Sequence, residues 1–181
     1  VIFMKASVLA FLTAALLMAT PAAAQGLTAE DVAQGFVEAV TLCAKAKVAG
    51  GGIAQLSEAS GRVSEGDAST RAFARAPEGR PVWDVLSARG IVIISEPSDA
   101  ECDVVAYGPR VRPVFDSVAR ALTADEIGFA EVEVEQNPEA ILRSFRRAGE
   151  PTVSVSLDGG EPGMPGRTFR FPMLLAFVRS N

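Results

Sequence analysis

The chain has 181 residues, 49% of them in the hydrophobic set and 22% charged, with 17 Lys+Arg against 22 Asp+Glu, two cysteines and no histidine. Without imidazole, Ser-His-Asp and Cys-His nucleophilic sites, histidine metal ligation and a histidine pH switch are all excluded. The formal net charge of −5 argues against nucleic acid and anionic membrane surfaces as partners, because there the neutralised phosphates supply most of the affinity.

Met4-Lys5 supplies one positive charge, Ala6 to Ala19 is apolar except for Ser7 and Thr13, and Thr20-Pro21-Ala22-Ala23-Ala24 follows the small-residue pattern of a cleavage site. Residues 1–24 therefore read as a secretory signal peptide, with Val1-Ile2-Phe3 as an over-extended start and cleavage expected after Ala24. The apolar core is about 14 residues, against roughly 20 for a bilayer span, and no later run is as long, so no membrane span is expected after cleavage. Removing this segment takes away Lys5 and no acid, which moves the net charge from −5 to −6. Residues 25–181 are expected to form one domain of a periplasmic or secreted protein.

Thr28-Ala29-Glu30-Asp31 has the form of a helix N-cap with acids in the first turn. Val32, Phe36, Val37, Val40, Cys43, Ala44 and Val48 continue at helical spacing, so the pattern predicts a helix over 28–48, ended by Gly50-Gly51-Gly52. Residues 53–81 carry little pattern beyond a short helical turn near 53–59 and read as a surface excursion. Val82–Leu86, Ile91–Ile94 and Cys102–Tyr107 read as three consecutive antiparallel strands, with Trp83 as a core residue of the first. Val111, Val114, Phe115, Val118, Ala119 and Leu122 predict an amphipathic helix over 111–123.

In the last third, Ala130, Val132 and Val134 alternate with Glu131, Glu133 and Glu135, which predicts a half-buried strand. Ala140–Arg147 reads as a strand, with a short helix begun by Pro138 as the alternative. Val153, Val155 and Leu157 alternate with serines, residues 158–166 read as a long hairpin loop, and Phe169, Phe171, Met173 and Leu175 predict a last strand with Pro172 at an edge or bulge. Runs of strands rather than a regular βαβ alternation indicate an α+β fold: a mostly antiparallel sheet with an N-terminal helix and a second helix packed on one face.

Cys43 and Cys102 are the only cysteines, and export makes a single structural disulfide the expectation. No metal is expected, since two thiolates without CxxC spacing or histidine leave too few ligands for zinc, and no cofactor motif occurs. Glu131, Glu133 and Glu135, with Arg143, Arg146, Arg147, Arg167 and Arg170 nearby in sequence, read as cross-strand ion pairs. Tyr107, Arg110 and Arg112, where a strand runs into the second helix, form a candidate anion site. Pro162, Met164 and Pro165 form a candidate partner loop with an apolar tip. The expected function is a non-enzymatic binding module for an unidentified protein or small ligand. Two other readings stay open: a histidine-free carboxylate-dependent hydrolase, which needs two acids such as Asp84 or Asp103 in one cleft, and a structural envelope component.

Overall fold

A computed structural model describes residues 27–166 and 168–181. The segment 1–24, for which a signal peptide is expected, and Arg167 lie outside the described residues. In chain order the elements are α1 (Ala29–Val48), α2 (Ile53–Ser60), β1 (Val63–Glu65), α3 (Ala68–Ala74), β2 (Val82–Val85), β3 (Val92–Ser95), β4 (Glu101–Tyr107), α4 (Val111–Thr123), β5 (Ala130–Val132), β6 (Ile141–Arg147), β7 (Val153–Gly160) and β8 (Met173–Ser180). Every strand pairing is antiparallel, and the eight strands form one sheet in the order β1-β2-β3-β4-β8-β7-β6-β5.

That order divides the chain into two meanders. The first, β1 to β4, runs inward from one edge. Then α4 carries the chain across to the other edge, and β5 to β8 run inward again, so that the last strand pairs with β4 at the middle of the sheet. Each half therefore opens with a long helix and continues as four antiparallel strands, with α2 and α3 as insertions in the first half. The repeat is one of topology alone.

Helix α1 begins at a capping box, in which Thr28 Oγ1 accepts from the Asp31 N–H at 3.1 Å and Asp31 Oδ2 accepts from the Thr28 N–H at 2.8 Å. Its apolar stripe, Val32, Phe36, Ala39, Val40, Cys43 and Ala44, is buried. Helix α4 buries Val111, Val114, Phe115, Val118 and Leu122 beside it, and the rings of Phe36 and Phe115 stack with centroids 6.4 Å apart. Both helices lie on one sheet face, over Cys102, Val104 and Ala106 of β4, Leu174, Ala176 and Val178 of β8, and Val153, Val155 and Leu157 of β7. Each such apolar side chain contributes about 1.5–3 kcal/mol by leaving water. A Cys43–Cys102 disulfide, with Cα atoms 5.8 Å apart, ties the apolar face of α1 to β4.

Four expectations need correction. Residues 53–81 hold β1 and α3 in addition to α2, the helical turn expected near 53–59; Asp67 caps α3 through hydrogen bonds from the Ser69 and Thr70 N–H groups, and local caps of this kind leave no long-range periodicity in a sequence. The strand expected over 129–135 shrinks to Ala130–Val132, which is exposed on both faces at the edge of the sheet. Strand β7 runs on through Asp158-Gly159-Gly160, shortening the expected loop. Both glycines are needed for close approach: a Cβ at Gly159 would lie 2.4 Å from Val111 Cγ1, and one at Gly160 would lie 2.1 Å from Phe169 Cζ. Finally, the last strand is Met173–Ser180, and its buried residues are Leu174, Ala176 and Val178 rather than Met173 and Leu175.

Candidate functional site

That last displacement defines a concave surface on the sheet face away from α1 and α4. Alternation along β4 and β8 sends one set of side chains under the helices and the other set, Asp103, Val105 and Tyr107 with Met173, Leu175 and Phe177, to the opposite face. On that face α3 packs chiefly on β2 and β3. Thr70 Oγ1 donates to Asp84 at 3.1 Å, and an Arg71 guanidinium N–H donates to the Arg80 carbonyl, which together seat the helix there. Between α3 and the β4–β8 seam a groove of about 580 Å³ stays open. Phe73, Val105, Tyr107, Met173, Leu175 and Phe177 line it, with Arg75, Ser95 and Asp103 as polar members.

The aromatic end of the groove is the more exposed. Phe73 and Tyr107 meet edge to face at 5.5 Å and are 51% and 38% exposed. Phe171, 67% exposed, precedes Pro172, whose carbonyl accepts from the Gly108 N–H. At the other end lies an ion-pair cluster. Arg179 Nη1 donates to Asp103 Oδ1 at 2.5 Å, Arg179 Nε lies 3.1 Å from Glu101 Oε1, and the guanidinium carbon sits 5.5 Å from the centroid of the Phe177 ring. Burial pushes the Asp103 carboxyl above the ordinary aspartate range; the hydrogen bond and charge of Arg179 oppose this, and the charge of Glu101 adds to it. On the neighbouring strand Asp158, opposite Leu175, has a buried Oδ1 with no hydrogen-bond partner among the described residues.

The candidate anion site is divided by the fold. Tyr107 belongs to the groove, whereas Arg110 is the N-cap residue of α4 and Arg112 lies in its first turn, both exposed to solvent. The free N–H of Val111 that would meet an anion donates instead to Glu161 Oε1 at 2.8 Å. In the candidate partner loop Pro162 and Pro165 are exposed, but Met164 turns inward onto the core and its Sδ accepts from the Glu161 N–H at 3.2 Å. The exposed apolar residue of this segment is Phe171, which a strand assignment concealed. Of the three strand glutamates, Glu131 pairs with Arg143, which donates to it at 2.7 and 2.8 Å while also reaching Asp116 at 2.8 Å. Glu133 and Glu135 lie beyond β5.

The acids considered for hydrolysis occupy separate places: Asp84 under Thr70, Asp103 on Arg179, Glu131 on Arg143. Asp103 is the one carboxylate lining the groove. Among the described residues no group of three or more Cys, Asp or Glu is arranged to hold a metal ion, and no helix is long and apolar enough to cross a membrane. A buried cluster that sequence reasoning missed joins Lys47, Glu96 and Trp83: Glu96 accepts from Lys47 Nζ at 3.0 Å, from Trp83 Nε1 at 3.2 Å and from the Ile53 N–H at 3.2 Å. Its donors are fully used within the fold, since Lys47 also bonds the Asp99 carbonyl at 2.9 Å, so it locks the Gly50–Gly52 corner in place. Compared with protein-family models, curated proteins and solved structures, the chain matches none.

Proposed function

We propose that this chain is an exported binding module, without catalysis of its own, that holds a small amphipathic ligand in the groove over β4 and β8. The observation that carries this reading is the row of apolar and aromatic side chains, Val105, Tyr107, Leu175 and Phe177, on a sheet face that α1 and α4 leave uncovered. Its size supports a small ligand over a protein partner. From Tyr107 to Glu101 the strand spans roughly 20 Å, and two or three strand spacings make it roughly 15 Å wide. The resulting area, on the order of 300 Å², is well below the ~800 Å² per partner of a stable protein interface. A groove of about 580 Å³ lies in the usual range for small-molecule sites. The disulfide agrees with an oxidising compartment, and a single lining carboxylate gives no acid–base pair.

Titration of residues 25–181 with the neutral fluorescent probe N-phenyl-1-naphthylamine tests the reading. Saturable enhancement is expected, with affinity falling at least tenfold in Leu175→Ser and in Val105→Ser while far-UV circular dichroism stays unchanged. Absence of saturable binding, or equal binding by both folded variants, would overturn it.

A further inference from the structure

The charges at the polar end of the groove balance. Asp103 and Glu101 carry two negative charges; Arg179, which pairs with both, and Arg75, which lines the groove from the end of α3, carry two positive ones. A cationic head group arriving there meets Arg75 and an anionic one meets Asp103, so neither sign is favoured and an uncharged head gives up least.

What that head must offer is set by Ser95. Ser95, Asp103 and Phe177 are neighbours across β3, β4 and β8, and their side chains share the groove face. Ser95 is 6% exposed, and its hydroxyl has no hydrogen-bond partner among the described residues. An unpaired hydroxyl in so buried a place costs free energy that a ligand can return. Beside it, Asp103 gives Oδ1 to Arg179 and keeps Oδ2 for another donor, and its side chain, 27% exposed, is within reach of a ligand. Directly opposite residues of an antiparallel pair hold their Cβ atoms about 4.5–5.5 Å apart, and an oxygen that bridges two others stands about 2.7–2.8 Å from each. One ligand hydroxyl therefore fits between the two side chains, accepting from Ser95 and donating to Asp103. An ammonium offers donors alone, and a carboxylate or an ether offers acceptors alone.

We propose that the ligand is an uncharged single-chain amphiphile whose hydroxyl head bridges Ser95 and Asp103 and whose tail runs over Val105 and Leu175 toward Tyr107. This rests on the groove reading above. The test is displacement of N-phenyl-1-naphthylamine from residues 25–181 by four ligands of one chain length, octanol, octyl methyl ether, octylammonium and octanoate, each below its solubility or aggregation limit. Octanol is expected to displace the probe at a concentration at least fivefold lower than the ether and tenfold lower than either ion. In Ser95→Ala the preference for octanol over the ether should disappear while the ether itself competes as before, with circular dichroism reporting the fold. That arm separates a hydroxyl site from a merely apolar groove. Displacement by either ion as good as that by octanol, or a preference over the ether that is absent from the parent or persists in Ser95→Ala, would overturn the hydroxyl head while leaving the groove intact. Failure of the neutral probe itself to bind would overturn both readings together.

Discussion

Replacing Glu96 by glutamine probes the buried cluster at the end of α1. Glu96 is 4% exposed and Lys47 1%. Every partner of Glu96 donates to it: Lys47 Nζ at 3.0 Å on Oε1, the Ile53 N–H at 3.2 Å on both oxygens, and Trp83 Nε1 at 3.2 Å on Oε2. Glutamine keeps the shape but turns one acceptor into a donor, so its NH2 must face one of these donors, and Lys47 is left with no counter-charge. Removing one partner of a buried ion pair costs about 3–5 kcal/mol, and that range is the expected loss of stability for Glu96→Gln. Lys47→Met should cost a similar amount, since the Asp99 carbonyl loses its donor as well. The double variant is then expected to be more stable than the sum of the single losses implies, by about 2 kcal/mol or more, because the second change removes the ion left stranded by the first. Urea unfolding followed by Trp83 fluorescence and by far-UV circular dichroism measures all four proteins, and the second probe is needed because Trp83 touches the mutated residue. A loss below about 1 kcal/mol for Glu96→Gln, or strict additivity in the cycle, would refute the reasoning.

Further outcomes follow from other parts of the fold. The Cys43→Ala/Cys102→Ala double variant should lose about 4 kcal/mol, the chain-entropy value for a closed loop with a sequence separation of 59, and a reductant should shift the unfolding midpoint of the parent alone. Thr28→Ala removes half of the capping box of α1 and should cost about 1 kcal/mol in the same urea assay; no shift of the midpoint would deny the cap its role. Gly159→Ala puts a methyl group against Val111 and Phe115 and should cost about 1–3 kcal/mol, so an unchanged midpoint would contradict the close approach of α4 to β7. Carboxyl-carbon NMR should show Asp103 titrating above Asp31, Asp67, Asp99 and Glu131. Asp31 is held low by hydrogen bonds from Thr28, Asp67 by Ser69 and Thr70, Asp99 by Arg80 and Glu131 by Arg143. The signs differ. The folded protein takes up the Asp103 proton at higher pH than the unfolded chain does, so its charge costs stability at neutral pH and the cost is relieved as pH falls. The other four contribute stability that is present above the ordinary carboxylate range and is lost as pH falls through their lowered values. Asp103 titrating below Asp31 would rule out its burial.

The sequence by itself determined those features that are written into one segment at a time. The 3.6-residue period of Val32 to Val48 and of Val111 to Leu122 marks α1 and α4, and Thr28 with Asp31 marks where the first of them begins. A pair of cysteines, the only two in a chain read as exported, is enough to expect their bond, and Cys43 on an apolar helix face agrees with it. The mostly antiparallel α+β class followed from the run of strands. Tertiary structure alone decided which face of a strand is the inside. In β8 the residues Met173 to Val178 are apolar on both sides, so alternation carries no preference, and only the packing of α1 and α4 over Leu174, Ala176 and Val178 leaves Leu175 and Phe177 facing the groove. The same holds for strand order: nothing local tells the last strand to insert beside β4 at the middle of the sheet rather than at an edge. The groove therefore had no signature in the chain, because it is made of residues far apart in sequence, Phe73, Val105 and Leu175, that meet only when the two meanders are joined. Lys47 and Glu96 were unreadable for the same reason: a charged residue reads as solvated until a partner 49 positions away encloses it.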